Sequence, residues 1–232
     1  MKAILMSVQP KWVEKIARGK KTIEVRKTRP KIETPFKCYI YCTFPQKPVY
    51  DIWINRGTEN RFLGNGKVIG EFVCDKIDEY RTEFYEDEET YQEIREVWFD
   101  EDYDYPVEDY RIITTNEREN PSDCKLLKNA CLTFDEVKKY VGYGDGKFYA
   151  WHISELKIYD KPKELGEFIS TVKCKKFEDY MMECDYNCRS YHAYSSLTAC
   201  GMEDDSECMS NGHKPITRAP QSWCYVEDLE EL

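Results

Sequence analysis

The sequence predicts an α+β domain, or a small curved β-barrel with helices at its openings. Three observations favour it. Several segments alternate apolar and polar residues with the period of two that β-strands show. Segments with helical periodicity are fewer and shorter. Strands and helices do not alternate regularly, which makes a doubly wound parallel sheet a weaker alternative. At 232 residues the chain is long enough to bury a sizeable core.

The first predicted elements are a strand and a helix. Residues 2–7 read as a short buried strand. Pro10 suits the first position of a helix, and Gly19 suits the position just after its end. Four residues share one face of this helix: Trp12, Val13, Ile16 and Ala17.

The next segment, residues 22–26, alternates strictly and predicts a strand. Ile23 and Val25 point one way, toward a core. Glu24 and Arg26 point the other way, toward a surface or a cleft.

Further along the chain, apolar patterns favour strands at 37–44, 66–75, 147–159 and 221–226. Helical signals occur in three places. Four acidic residues and the spacing of Tyr91, Ile94 and Val97 favour a helix over 86–98. Thr133 suits the N-cap of a helix over 134–141, and a short helix follows around 164–169. Residues 103–132 have little periodicity and predict a long irregular excursion.

Composition excludes several classes of protein. Hydrophobic residues make up 41% of the chain and aromatic residues 14%, which excludes wholesale disorder. No run of 18 apolar residues occurs, which argues against a membrane-spanning helix and a membrane partner. The first residues lack a long apolar segment, and Pro10 comes early, so we expect no signal peptide and a cytoplasmic protein.

Charge is unevenly distributed along the chain. The formal net charge is −10, which argues against non-specific coating of nucleic acid. Residues 1–31, however, contain ten basic and two acidic residues, whereas residues 75–112 contain sixteen acidic and four basic ones. The basic segment is either a solvated face that pairs with the acidic one, or an anion site masked by acidic surroundings.

The strongest candidate site lies at the turn into the strand of residues 22–26. Lys20 and Lys21 occupy the turn, and Glu24 and Arg26 share the strand face about 6–7 Å apart. A carboxylate between cations stays ionised and can accept a hydrogen bond from a base amino group, or a proton from water. Arg26 offers a planar donor fork for a phosphate or a carbonyl. The alternative is an ordinary solvated strand face.

The stretch SVQPKWVEKIARGKKTIEVRKTRP resembles the signature of the ASCH domain family of the PUA-like superfamily. Its pattern G-x-K-x-x-E-x-R corresponds here to Gly19, Lys21, Glu24 and Arg26. The segments KVIGEFVCDKI and KFYAWHISELKIYDKPKEL resemble later strands of that barrel, and TRAPQSWCYVE resembles the closing strand of phage and bacterial members. The resemblance implies a domain over 1–170, a Cys-rich insertion over 171–214, and a closing strand with an acidic tail over 215–232.

The resemblance implies a cleft that binds RNA or a modified nucleoside and requires no cofactor. The residues expected to contact this ligand are Ser7, Gln9, Lys20, Lys21, Glu24, Arg26, Trp151, Arg218, Gln221 and Trp223. Some family members remove an acyl group from N4-acetylcytidine, with Lys at the position of Lys21 and a Thr nucleophile at the position of Glu24. This sequence departs at that second position. Other members are linked to RNA cleavage.

Three functions follow as hypotheses. The first is a reader that binds RNA or a modified nucleoside without chemistry, with aromatic residues stacking a base. The second is a hydrolase, either N4-acylcytidine amidohydrolase-like or a ribonuclease, with Lys21, Glu24 and Arg26 as catalytic residues. The third is a protein–protein module that uses the acidic residues 75–112. The oligomeric state stays open.

The last third of the chain concentrates cysteines that could bind a structural zinc ion. The chain has 11 cysteines, an odd number that disfavours a disulfide scaffold. Cys184 and Cys188 have a spacing seen at zinc sites, although no CxxC pair occurs. The expected ligands are Cys184, Cys188, Cys200 and Cys208, with Cys174 or a histidine as substitutes. Free thiols and a redox disulfide are the alternatives.

Metal analysis of the purified protein separates these alternatives. A closed structural site predicts about one zinc equivalent per chain, and its removal by a chelator should lower the thermal stability. Well under one equivalent would contradict the zinc prediction.

Overall fold

The computed structural model describes residues 2–44, 53–55, 61–84, 92–100, 107–116, 124–171 and 214–229. These residues are mostly β, in two larger sheets and a two-stranded one, with few helices. The strands are β1 (Lys2–Val8), β2 (Ile23–Arg26), β3 (Phe36–Cys42), β4 (Trp53–Asn55), β5 (Arg61–Leu63), β6 (Val68–Cys74), β7 (Ile77–Phe84), β8 (Glu93–Asp100), β9 (Val107–Thr115), β10 (Gly144–His152), β11 (Ser154–Lys163), β12 (Ile169–Ser170), β13 (Lys214–Pro215) and β14 (Trp223–Glu227). The α-helices are α1 (Pro10–Ala17), α2 (Lys125–Ala130) and α3 (Phe134–Val141), and a 3-10 helix spans Leu165–Glu167.

The larger sheet has the order β11-β6-β3-β1-β14-β12-β13, and the smaller has the order β2-β10-β7-β8-β9. Strand β1 pairs in parallel with β3 and antiparallel with β14, whereas every neighbouring pair of the smaller sheet is antiparallel. Within the described residues no pairing closes either sheet, so the expected barrel is present only as open sheets. The α+β class is confirmed, and none of the described helices is long and apolar enough to cross a bilayer.

The chain forms two compact units. The first contains residues 1–10, 37–71 and 159–232, and the second contains residues 11–36 and 72–158. The predicted division at residues 170 and 215 stays a prediction, and most of the proposed Cys-rich insertion lies outside the described residues.

The core of the first unit is built on the larger sheet. It contains seven buried residues: Ala3, Leu5, Tyr39, Tyr41, Val68, Phe168 and Val226. Tyr39 meets the ring of Phe168 edge-on, at 4.9 Å between ring centroids. Its hydroxyl donates a 2.7 Å hydrogen bond to Asp228 and accepts one of 2.9 Å from the Leu229 amide. These bonds fix the end of β14 against β3.

The core of the second unit lies between one face of the smaller sheet and the helices α2 and α3. Ile23 and Val25 of β2, Phe148 of β10 and Leu127 of α2 are among its buried residues. Phe148 stacks on Tyr80, with ring centroids 5.2 Å apart. The prediction that Ile23 and Val25 point into a core is therefore confirmed.

Local signals in the sequence are confirmed at several helix ends. Helix α1 begins at Pro10, and Gly19 follows its end with a positive φ of 69°. Helix α3 begins with a capping box, in which Thr133 and Glu136 exchange side chain-to-backbone hydrogen bonds of 3.1 Å.

The helix predicted over 86–98 is wrong where the structure describes it, because Glu93–Asp100 is strand β8. Ile94 and Val97 are three positions apart, a spacing that places two residues on one face of a helix but on opposite faces of a strand. Both are buried, so both faces of the strand carry an apolar residue here. The irregular excursion predicted over 103–132 contains strand β9 and helix α2. The strand predicted over 147–159 is two strands, which are separated at Ile153.

The acidic segment 75–112 forms β7, β8 and β9 of the smaller sheet. Each of its four basic residues pairs with a carboxylate of the same segment: Lys76 with Asp78, Arg81 with Glu79, Arg95 with Glu83 and Arg111 with Glu96. Exposed pairs of this kind add little stability. They do reduce the repulsion within a strongly acidic sheet.

A core substitution in α2 tests the packing of the second unit. Leu127→Ala should lower the free energy of unfolding by about 2–5 kcal/mol, because it opens a cavity in a fully buried position. The exposed Lys125→Ala on the same helix should change it by less than about 0.5 kcal/mol. Urea unfolding measures both, and equal effects would contradict the assigned core.

Candidate functional site

The turn that carries Lys21 into β2 is a Schellman motif at the end of α1. The amide of Gly19 donates to the carbonyl of Ile16 at 2.8 Å, and that of Lys20 donates to the carbonyl of Lys15 at 2.9 Å. The Lys21 amide also donates to the Lys15 carbonyl, at 3.1 Å. The positive φ of Gly19 makes this reversal inexpensive, because glycine has no Cβ to clash. Lys21 is thereby tied to the last turn of α1.

Strand β2 is held between α2 and β10. The Thr22 amide donates to the carbonyl of Asn129, at the end of α2, and the Ile153 amide donates to the carbonyl of Thr22. In the antiparallel register with β10, Glu24 lies opposite Trp151, and Arg26 lies opposite Tyr149.

Lys21, Glu24 and Arg26 form one buried ion cluster, here called the triad. Lys21 Nζ donates a 2.7 Å hydrogen bond to the carbonyl of Ala130 and lies 3.3 Å from Glu24 Oε2. Arg26 Nη2 lies 2.9 Å from Glu24 Oε1. The three residues are exposed by only 2%, 6% and 7%. The motif residues expected to act together are therefore in direct contact.

Of the two alternatives for Glu24 and Arg26, an open surface or a cleft, their burial excludes the open surface. Directly opposite residues of paired strands share a sheet face, so Trp151 and Tyr149 lie beside them. Trp151 is fully buried, and Phe36 meets it edge-on at 5.7 Å between ring centroids. Both faces of β2 are consequently buried, one apolar and one charged.

Burial governs the electrostatics of the triad. Two cations share one carboxylate in a site that excludes most water. Burial lowers the pKa of Lys21, and the nearby Glu24 carboxylate opposes that shift. Glu24 Oε2 is buried, and its described contact is the 3.3 Å ion pair with the Lys21 ammonium. In the triad, Lys21 and Arg26 each contact a different oxygen of the Glu24 carboxylate.

Two further groups near the triad were missed by the sequence reasoning. The Cys131 thiol donates to the carbonyl of Lys20 at 3.4 Å, one residue before Lys21. Tyr140 of α3 lies within electrostatic reach of Glu24 and Arg26, and burial raises its pKa while Arg26 opposes the rise. No local pattern could indicate either residue, because each belongs to an element more than a hundred positions from β2.

The other predicted ligand-binding residues divide between the two units. Lys20 is exposed and, with the triad and Trp151, belongs to the second unit. In the first unit Ser7 is buried, and its hydroxyl donates to the carbonyl of Pro220 at 2.7 Å. This bond places the end of β1 beside the segment before β14. That segment contains the exposed Arg218 and Gln221 and leads to the half-buried Trp223; Gln9 is exposed after β1.

No group of three or more metal-ligating side chains occurs among the residues that the structure describes. The predicted zinc ligands Cys184, Cys188, Cys200 and Cys208 lie outside those residues, so the zinc site stays a prediction. The six cysteines inside the described ranges form no disulfide with one another.

Comparison with known proteins gave a limited result. No family model matches the chain, and no curated protein matches it. Among the solved structures that it resembles are ASCH proteins. An ASCH protein from Zymomonas mobilis is 17% identical, with 70% of this chain and 73% of that chain covered at a TM-score of 0.39. A tyrosine-to-phenylalanine variant of it gives 17% identity, 71% and 77% coverage and a TM-score of 0.39. These levels of similarity assign neither a family nor an activity.

The lowered pKa of Lys21 predicts a specific pH dependence of stability. Between its pKa in the folded protein and its ordinary value of 10.5, Lys21 binds a proton in the unfolded chain but not in the folded one. Wild-type stability should therefore rise with pH through this window, relative to that of Lys21→Met.

Urea unfolding at several pH values gives the free energy of unfolding of the wild type and of Lys21→Met. Groups that titrate alike in both proteins cancel when one free energy is subtracted from the other. The exposed Lys20→Met serves as the matched control. The difference between its free energy of unfolding and that of the wild type should not change with pH. If the corresponding difference for Lys21→Met also stays constant with pH, the assigned burial of the amine is contradicted.

Proposed function

We propose that this chain is a divergent ASCH-type, PUA-like protein that binds RNA or a modified nucleoside at the triad. The observation that carries the proposal is Glu24 Oε2, a buried carboxylate oxygen whose described contact is the Lys21 ammonium at 3.3 Å, which leaves acceptor capacity for a ligand. Buried polar atoms in proteins are nearly always hydrogen-bonded, so such an atom suits a ligand donor.

The chemistry of the triad matches a nucleobase joined to an anionic group. The exocyclic amino group of a base would donate to Glu24 Oε2. A base carbonyl or a phosphate would accept from Lys21, which keeps further ammonium hydrogens besides the one donated to Ala130.

Hydrolysis of a modified nucleoside or of RNA is the second candidate, and the lowered pKa of Lys21 favours it. An amine whose pKa is lowered loses its proton more readily, and the neutral form can accept a proton from water or act as a nucleophile. Its 3.3 Å contact with Glu24 supplies a carboxylate beside the amine. Because Glu24 stands where related amidohydrolases have a threonine, an acyl-enzyme on a hydroxyl at this position is not part of the proposal.

A binding experiment with charge-neutral variants tests the proposed function. Glu24→Gln keeps the shape of the side chain but replaces the acceptor oxygen pair by an amide, and should weaken RNA or nucleoside binding about tenfold or more. The exposed Glu155→Gln is the matched control and should bind like the wild type. Fluorescence anisotropy at low salt provides the measurement.

Folding must be separated from binding, because Glu24→Gln leaves two buried cations without their carboxylate. The double variant Lys21→Met/Glu24→Gln removes one charge of each sign and provides a second protein for the same titration. Normal binding by a folded Glu24 variant would contradict the proposed site. Mass spectrometry of the incubated RNA and N4-acylated cytidine then distinguishes the two candidates, since only a hydrolase gives a product that Lys21→Met abolishes.

A further inference from the structure

Exposed apolar side chains of the second unit are concentrated at two places. Among the described residues, six large apolar side chains are exposed, and five of them belong to this unit. Trp98 of β8 and Tyr110 and Ile112 of β9 form one cluster, and Tyr140 and Tyr143 form the other, at the end of α3 and just after it. Each of the five is at least 40% exposed. Clustered exposed apolar side chains mark interaction sites, whereas single ones are common on any surface.

The cluster at the end of α3 is positively charged. Lys27 Nζ lies 5.3 Å from the ring centroid of Tyr140, and Lys138 Nζ lies 5.4 Å from that of Tyr143. Lys27 also donates to the carbonyl of Val141 at 3.4 Å, so this cluster lies beside the residue that follows β2. Within the part of the chain that the structure describes, neither ammonium group contacts a carboxylate. Lys27, Lys138, Tyr140 and Tyr143 are here called the cationic cluster.

The cluster at β8 and β9 lies in a strongly acidic segment. Residues 75–112 contain sixteen acidic and four basic residues, and each basic residue already pairs with a carboxylate of the same segment. The segment therefore keeps an excess of twelve negative charges. Trp98 lies directly opposite Asp109 in the register of β8 with β9, so a carboxylate belongs to this cluster. Trp98, Asp109, Tyr110 and Ile112 are here called the anionic cluster, and a cationic partner would be attracted to it.

Strand β9 offers a partner its side chains and not its backbone. It is the last strand of the smaller sheet as the structure describes it, and such strands can pair with a strand of another molecule. Here the Asp109 carboxylate accepts a 2.8 Å hydrogen bond from the Tyr110 amide. Because that amide is already bonded, it has no hydrogen bond to give to an added strand. A partner would therefore contact the side chains of the anionic cluster.

The two clusters of one molecule cannot neutralise each other. The strand order β2-β10-β7-β8-β9 puts four strand spacings, about 19 Å, between β2 and β9. Salt screens charges that are more than about 8–10 Å apart at physiological ionic strength. The cationic cluster beside β2 and the anionic cluster at β8 and β9 therefore act as separate surfaces. Each can be neutralised only by another molecule.

We infer that the anionic cluster of one copy of this chain docks on the cationic cluster of a second copy. The charges indicate a second copy as the partner, because it brings two lysines beside exposed tyrosines to an acidic surface that exposes three apolar side chains. Tyrosine and tryptophan are enriched at protein interfaces. The contact joins two different surfaces, so each copy keeps one cluster free and association continues into a ring or a chain of copies. This inference does not depend on the proposed function of the triad.

Sedimentation velocity of the full chain tests this inference, after nuclease treatment to exclude bridging by RNA. The wild-type mass should rise with protein concentration at about 50 mM KCl and fall back to that of one chain at about 500 mM KCl, because salt screens the contact. Ile112→Lys adds a cation to the anionic cluster, and Lys138→Ala/Tyr143→Ala removes a charge and a ring from the cationic cluster. Each should weaken self-association about tenfold or more. Lys161→Gln, at an exposed position of β11 in the first unit, should associate like the wild type.

Mixing the two variants tests whether the contact joins different surfaces. The Ile112→Lys copy keeps its cationic cluster, and the Lys138→Ala/Tyr143→Ala copy keeps its anionic cluster. An equimolar mixture should therefore form a complex of one copy of each and grow no further, because the two remaining clusters are both altered. Circular dichroism checks beforehand that the variants are folded. A wild type that stays monomeric at low salt overturns the inference, as does a mixture without a complex, or either variant associating like the wild type.

Discussion

The burial of Glu24 between Lys21 and Arg26 is the constraint on which the second unit depends. A carboxylate within 3.3 Å of both cations offsets part of the cost of taking them out of water on this sheet face. Lys21 also ties the end of α2 to β2 through the carbonyl of Ala130. Loss of one member would leave a buried charge without its partner, which in other proteins costs about 3–5 kcal/mol.

The two faces of β2 also fix its register. Ile23 and Val25 pack with α2 and β10 in an apolar core, while Glu24 and Arg26 lie beside Trp151 and Tyr149. A slip of one residue would exchange the faces, and would place two charged side chains in the apolar core. The ion cluster therefore specifies one pairing of β2 with β10, whatever its net contribution to stability.

Local features of this fold could be predicted from sequence, and long-range ones could not. The start of α1 at Pro10, the turn at Gly19 and the cap at Thr133 each depend on residues within a few positions. The grouping of Lys21, Glu24 and Arg26 also followed from spacing. Their burial did not follow from spacing, because β10, the strand that pairs with β2, lies more than a hundred positions away. The helix expected over 86–98 failed for a related reason, since Ile94 and Val97 are buried on opposite faces of β8 and their spacing shows no period of two.

The Schellman turn at Gly19 has a consequence for the order of events in folding. Its hydrogen bonds join residues at most six positions apart, whereas the partners of β2 on β10 must close a loop of more than a hundred residues. Contacts of short sequence separation form faster than those that close long loops. The turn therefore positions the lysines of α1 while their ammonium groups are still hydrated. The free-energy cost of dehydrating Lys21 is met later, when β10 pairs with β2.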